Sequence, residues 1–397
     1  MAHHSEFEAT EILSDSRASR TEPALTFDIR FTGSGSEYFR IWIVNLLLTL
    51  VTFTLYWPFA RARRLAYFQN NTLVGKDPLG FHGDPWKMFR GYLLMLLFGV
   101  SYWAVSNFAP AFAWLPLLVL AVLWPALWRA SLQFRLRNTS WRGVRLAFVG
   151  STAGAYRALL PLFVPVLVLV GLAPAVDRTG EVPLAAARQF GLLAAAVLLV
   201  TVLLGPWMLA RLKRYQHGGY AMAQERTRLH LGTPAFYGLG LRSLGMAVLV
   251  GTLVAGLGGL GIWLLPRPQV LALIGLLFYV LVPLLWWPWF TARLQNLLWN
   301  RTGSRRVRFS SDLSFERLAA VTALNWWLIA LTLGLYWPWA QVRLARLRLQ
   351  AVSVDIDGDV NAWLARTQAV RGGVVGDAAG DFFGLDMALC GGGRGER

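Results

Sequence analysis

Apolar and polar positions follow two periods in turn along this chain. Residues 24–32 read Ala-Leu-Thr-Phe-Asp-Ile-Arg-Phe-Thr, with Leu25, Phe27, Ile29 and Phe31 alternating with polar neighbours. A period of two predicts a strand. Gly33-Ser-Gly-Ser-Glu-Tyr38 then turns the chain into an apolar run over 41–60. Further runs cover 92–109 and 111–128, 158–176 and 190–210, 244–265 and 270–290, and lastly 318–340. About 20 apolar residues cross a bilayer once, so the three pairs predict three membrane hairpins. Between them the period of two returns, at Val144, Leu146 and Phe148, at Leu229 and Leu231, over 306–310 and over 352–356.

Five of the apolar runs end alike. The first closes in Thr54-Leu-Tyr-Trp-Pro-Phe-Ala-Arg-Ala-Arg-Arg64 and the last in Gly334-Leu-Tyr-Trp-Pro-Trp-Ala-Gln-Val-Arg-Leu344; weaker copies stand at Trp124-Pro125, Pro206-Trp207 and Trp287-Pro288. Indole rings suit the headgroup level, proline starts a helix, and arginine meets phosphate and water. Trp57, Pro58, Trp124, Pro125, Pro206, Trp207, Trp287, Pro288, Trp337 and Pro338 are therefore the expected interface corners. The repeated unit is a boundary helix, a strand or hairpin, a Gly/Ser/aromatic turn, and membrane helices.

Composition sharpens this reading. Apolar residues make up 56% of the 397, charged residues 15%, and mean hydropathy is +0.47. Soluble domains carry about a quarter charged residues, so a polytopic membrane protein is expected. The net charge of +17 sits in short loops rather than on one amphipathic face, which predicts no nucleic-acid partner. Segments 60–91, 129–157, 210–242 and 291–318 hold six Lys or Arg each, while the opposite loops hold only Arg178, Arg188 and Arg267. The positive-inside rule places the first set in the cytoplasm. Residues 1–23 lack the basic-then-apolar order of a cleaved signal. Two topologies follow. If 41–60 and 318–340 each cross, there are eight spans; if they re-enter, there are six, and all five arginine corners share the cytoplasmic face. The six-span arrangement is preferred because it treats the five corners alike.

Little in the chain suggests catalysis. The membrane segments hold no charged residue in their interiors, the five histidines are scattered in tails and loops, and Cys390 is alone. No metal, cofactor or nucleophile–base pair is expected. The polar residues at membrane depth include Asn45 and Asn325, each ten residues before its Leu-Tyr-Trp-Pro corner. Interhelical hydrogen bonding accounts for such residues; a polar path between the first and last segments is the alternative. Arg61, Arg63, Arg64, Arg343 and Arg346 serve topology and interface anchoring, or else bind the headgroups of anionic lipids.

The stretch Glu37-Tyr-Phe-Arg-Ile-Trp-Ile-Val-Asn-Leu-Leu-Leu-Thr, the Trp57-Pro58 corner, Asn71-Thr72 and Leu331-Thr-Leu-Gly-Leu-Tyr-Trp-Pro-Trp-Ala340 resemble the YjgN-like family of bacterial inner-membrane proteins, over roughly residues 24–355. The resemblance implies the bacterial inner membrane and a multi-helix architecture. The family is itself a domain of unknown function, so no catalytic residues are carried over. At the third corner Gly205-Pro-Trp replaces Trp-Pro-Trp. The expected fold is an all-α polytopic membrane protein: six full transmembrane helices in three hairpins, two terminal segments that re-enter or span, and short cytoplasmic β-hairpins. Its expected divisions are a disordered tail over 1–23, the membrane domain over 24–355 and a Gly-rich tail over 356–397. The expected role is a non-enzymatic channel-like or uncoupled transport protein. The alternative is an anionic-lipid-binding organiser or assembly partner.

Overall fold

The computed structural model describes residues 25–112, 114–171, 183–264 and 268–365. The tail over 1–23, Arg178, Arg267 and the end of the chain with Cys390 lie outside the described residues. The described residues are 72% helical. In chain order the elements are β1 (Leu25–Phe31), α1 (Gly35–Val51), α2 (Trp57–Asn70), β2 (Thr72–Val74), β3 (Asp77–Phe81), α3 (Pro85–Phe108), α4 (Trp114–Arg137), β4 (Thr139–Trp141) and β5 (Val144–Phe148). There follow α5 (Thr152–Gly171), α6 (Leu184–His217), β6 (Tyr220–Met222), β7 (Glu225–Arg226), β8 (Arg228–Leu229), α7 (Thr233–Leu264) and α8 (Pro268–Trp299). β9 (Thr302–Gly303), β10 (Val307–Ser311), α9 (Phe315–Leu331), α10 (Trp337–Gln350) and β11 (Val352–Ile356) complete the series.

The strands do not stay as separate hairpins. They pair into one 11-stranded sheet, in the order β7-β6-β5-β4-β3-β2-β1-β11-β10-β9-β8. The two outer strands, β7 and β8, are consecutive in the chain and separated by Thr227 alone. The two ends of the sheet therefore meet at one residue, and the β-layer runs round a ring. The first strand closes that ring against the last, with Leu25 opposite Ile356 and Asp28 opposite Ser353. Alternation in sequence predicts a strand but not its partner, so the pairing between successive hairpins was not legible.

Each strand end is tied to the next helix by the same contact. Backbone N–H groups of Thr32, His82, Val149, His230 and Asp312 donate to the carbonyls of Asn71, Asn138, Gly219, Arg301 and Ala351, at 2.8–3.0 Å. Thr72, Thr139 and Thr302 close the ends of α2, α4 and α8 by donating from Oγ1 to Phe68, Arg135 and Leu298 carbonyls. The next helix starts hard against this junction. A Cβ at Gly33 would stand 2.8 Å from the Phe31 ring and the Tyr67 hydroxyl, and one at Gly150 would meet Phe148 and Tyr215 equally closely. Only glycine fits there.

The first and last apolar runs are both interrupted. α1 ends at Val51, and Thr52 Oγ1 donates to the Leu48 carbonyl and accepts from Tyr56 N–H. Phe53 and Thr54 take left-handed φ of 46° and 73°. Thr332 makes the same contacts, with Leu333 and Gly334 at 50° and 93°. Seventeen residues of helix span about 25 Å, short of the ~30 Å hydrocarbon core. The tips are apolar and bare: Phe53 is 88% exposed and Leu333 95%. Six other helices are long and apolar enough to cross a membrane, over Pro85–Phe108, Pro110–Arg137, Thr152–Leu169, Leu184–His217, Thr233–Leu260 and Leu273–Trp299.

One core gathers the inner side of the sheet. Trp141, Val144, Val307, Val354 and Ile356 are buried together, with Phe27, Ile29, Val74, Leu79 and Met222 packed against them. The expected boundary after residue 355 falls short. Residues 360–365 are helical, and Val360, Trp363 and Leu364 enter this same core. Asp359 starts that turn by accepting from Asn361 and Ala362 N–H. Three buried apolar side chains outweigh the glycine-rich composition that follows them.

A single sheet puts all its strands on one side of the bilayer. Single cysteines replacing Lys76, Arg145, Arg228, Arg308 and Ser353 in a Cys390→Ser background should respond together to an impermeant thiol reagent. The loop charges predict protection in intact cells and labelling after lysis. One site reacting alone in intact cells would break the sheet topology.

Candidate functional site

The five corner prolines share one register. Pro58 precedes Asn71, Pro125 precedes Asn138, Pro206 precedes Gly219, Pro288 precedes Arg301 and Pro338 precedes Ala351, always by thirteen residues. Those five followers are the carbonyls that accept the strand ends. The divergent third corner therefore keeps step with the others. Pro58, Pro125, Pro288 and Pro338 are buried, and Pro206 packs on Gly240 of α7, where a Cβ would stand 2.9 Å from its Cγ. The indoles beside them turn outward: Trp57, Trp124, Trp287 and Trp337 are all substantially exposed, while Trp207 is half-buried. Outward indoles at one level form an interfacial belt.

The arginines divide by what they touch. Arg63 lies over the Tyr56 ring at 5.6 Å, Arg343 over Tyr336 at 5.8 Å and Arg211 over Trp207 at 4.8 Å. All three stand five residues after their proline; Arg211 escaped the sequence reading because its corner lacks the Leu-Tyr-Trp-Pro pattern. Arg346 is held by the protein's own backbone, donating to the Gly33 carbonyl at 2.8 Å. Arg129 and Arg214 act likewise on Gly150 and Leu231. Arg61 and Arg64 stay on the exposed surface. Desolvation, with Arg135 and Arg64 nearby, holds the Arg61 pKa below its ordinary value. Beside this corner the Tyr67 hydroxyl donates to the Ser34 carbonyl and to Glu37, and burial with the Glu37 carboxylate pushes its pKa up to about 12.

Asn45 and Asn325 are both buried, at 7% and 1% exposed. α1 packs on α2 and α10, and α9 packs on α8 and α10, so both helices have α10 as a neighbour. Both amide atoms of Asn325 and the Asn45 oxygen lack a hydrogen-bond partner. His217, expected in a solvated loop, is buried and joins Thr302 through Nδ1 at 3.0 Å. No cluster of metal-ligating side chains occurs among the described residues. An apolar groove of about 380 Å³ opens along α3, lined by Tyr92, Met95, Leu96, Gly99, Val100 and Trp103.

A family model described as a bacterial protein of unknown function (DUF898) matches residues 26–382. Inner membrane protein YjgN of Salmonella typhimurium is 29% identical over 143 residues, 36% of each chain. The protein of the same name from Escherichia coli K12 is 30% identical over 143 residues, 36% of this chain and 35% of its own. The matched stretch thus spans about a third of the length of these curated relatives. No solved structure matches.

An amide buried without a partner contributes only its desolvation cost. Asn325→Leu should leave stability within about 1 kcal/mol of the parent, or raise it, read as the thermal midpoint in detergent. A loss beyond about 3 kcal/mol would mean that the amide is satisfied in the membrane.

Proposed function

This chain belongs to the DUF898 family of bacterial proteins, and we propose that it acts there as a non-enzymatic organiser of anionic lipid. It is a multi-pass protein of the bacterial inner membrane. The finer architecture we propose is a ring of five like units, each a membrane hairpin followed by a β-hairpin on the cytoplasmic face. The fifth unit is assembled from both ends of the ordered chain, where β11 meets β1. The hairpins α1/α2 and α9/α10 re-enter, and the other three cross.

One observation supports lipid over a conducting path: the middle of the sheet is filled. The apolar core that takes in residues from β1 to β6, β10 and β11 also takes in Trp363 and Leu364. Below it, the crossing helices keep bare apolar sides, with at most 22% of any spanning window buried. Acyl chains cover such surfaces, and the arginines stacked at the corners lie where headgroup phosphates sit. The sequence contributes the absence of a nucleophile–base pair or a charged membrane site.

The channel-like reading retains one supporting observation, the unpartnered amides of Asn45 and Asn325 at membrane depth. A polar path would satisfy them. Such a path would meet the filled core.

Two measurements separate these readings. Changing Arg61, Arg63 and Arg64 together to Gln should lower the number of phosphatidylglycerol or cardiolipin molecules retained in native mass spectrometry. At about 1 kcal/mol per charge the loss is a few kcal/mol at most. Arg346→Gln should instead lower the melting temperature and leave the lipid count alone. An unchanged count in the triple variant would remove the lipid role. Ion flux through the parent protein in liposomes, abolished by Asn325→Leu, would install the channel in its place.

A further inference from the structure

The ring of strands has one place where its ladder is interrupted. β7 and β8 are the two end strands of the sheet, joined through Thr227 and not paired with each other. Thr227 itself is buried, its N–H donating to the Tyr220 carbonyl and its hydroxyl to the His217 carbonyl. On either side of it the chain takes different partners. β7 stays on β6, with Arg226 opposite Ala221, while β8 crosses to β9, with Arg228 opposite Gly303. A cavity of about 400 Å³ opens at this seam, between the segment 224–230 and the turn 303–305.

A period of two decides what lines it. Gln224, Arg226, Arg228 and His230 are all exposed and all line the cavity. Leu229, between the last two, packs instead on the core of Ala210, Phe236 and Leu298. The turn from β9 to β10 adds Arg305 and Ser304 from the other wall. A Cβ at Gly303 would stand 2.9 Å from the Val307 carbonyl oxygen, so that wall carries no side chain there.

The charges of the cavity do not cancel. Three guanidinium groups share it with one carboxylate, Glu225, and Arg306 outside the lining already stands 4.0 Å from that carboxylate. Arg226 is fixed in place by donating from Nε to the Gly218 carbonyl at 2.8 Å. Among the described residues the side chains of Arg228, Arg305 and His230 have no hydrogen-bond or ion-pair partner. Ser304 Oγ accepts from the N–H groups of Arg306 and Val307, at 3.3 and 3.1 Å, which leaves its own hydrogen for a ligand. Cations meeting in a concave site from two walls attract anions, and the planar fork of arginine fits phosphate oxygens. The volume lies at the lower end of the range for small-molecule sites.

We propose that Arg228 and Arg305, with Arg226 and Ser304 beside them, bind a phosphate group at the seam of the sheet, and that Gln224 and His230 meet the group that carries it. The phosphate belongs either to a small soluble compound or to a lipid headgroup. None of these residues is a corner arginine, so the site stands or falls independently of the lipid reading above.

The test uses the full chain in nanodiscs of phosphatidylcholine, titrated by calorimetry with inorganic phosphate, glycerol 3-phosphate and AMP. Glycerol and adenosine, which lack the phosphate, should not bind. Arg228→Gln with Arg305→Gln should weaken binding of the phosphate probes at least about tenfold. Both side chains are exposed, so the melting temperature without probe should stay that of the parent; should it fall, Arg305→Gln alone serves. Arg30→Gln with Arg145→Gln, the same loss of charge at exposed positions of β1 and β5, should leave binding unchanged. Binding of these probes identifies a soluble phosphate compound. If none binds, nanodiscs containing phosphatidylglycerol decide: native mass spectrometry showing fewer lipids on the Arg228/Arg305 variant than on the Arg30/Arg145 variant identifies a headgroup. Equal affinities and equal lipid counts in the two double variants, or adenosine binding as tightly as AMP, overturns the site.

Discussion

The fold depends on one hydrogen bond made five times. A strand arrives at the foot of a membrane helix, and its last N–H finds the carbonyl that ends the next corner helix, as Thr32 finds Asn71 and Asp312 finds Ala351. A helix terminus leaves its carbonyls unmatched, and a short strand leaves its edge open. Each defect here satisfies the other. Because each contact joins a strand end to the end of another helix, the strands run on into one another, and the first and last strands of the described chain meet in the β1–β11 pair. Strands of two to seven residues would be marginal as isolated hairpins. In a ring, nearly every edge is paired.

That contact also explains the fixed spacing of the corners. Pro125, Pro206 and Pro288 stand inside continuous helices, where a proline removes one backbone hydrogen bond and loosens the turn before it. Thirteen residues further on, the helix must deliver a carbonyl to the strand. Lengthening any corner by one residue ahead of a buried position such as Ala210 or Ala292 would rotate that position by about 100° about the helix axis and out of its packing. The register, rather than the Trp-Pro motif, is therefore what Gly205-Pro206-Trp207 had to preserve.

The arrangement divides the cations into classes of different use. Some complete the junction: Arg129, Arg214 and Arg346 donate to carbonyls beside the helix starts. Some lie on aromatic faces at the interface, as Arg63, Arg211 and Arg343 do. Others tie one corner helix to the next, as Arg348 does by donating to Gln295. An excess of basic residues in short loops has one explanation in the sequence and three in the structure, because helical phase decides which way each guanidinium points.

Several features were legible from the residues alone. Unbroken apolar runs without charges point to a membrane, and their lengths foretold the six helices that are long and apolar enough to cross one. Alternation gave the strand at Leu25–Phe31 and those at Val144–Phe148 and Val352–Ile356. Trp-Pro followed by arginine gave the corners. Those signals are local, since hydropathy and period are properties of a dozen neighbouring residues. What escaped needed partners distant in the chain. The breaks at Phe53 and Leu333 depend on left-handed turns that the apolar runs conceal. The burial of Trp363 depends on a core drawn from strands as distant in the chain as β1, with Phe27 and Ile29. Sequence determined the solvent each segment lives in, by the cost of carrying charge or bare backbone into hydrocarbon. Tertiary structure alone decided which ends meet, because a strand's hydrogen bonds are satisfied by any partner in register and only closure of the ring selects one.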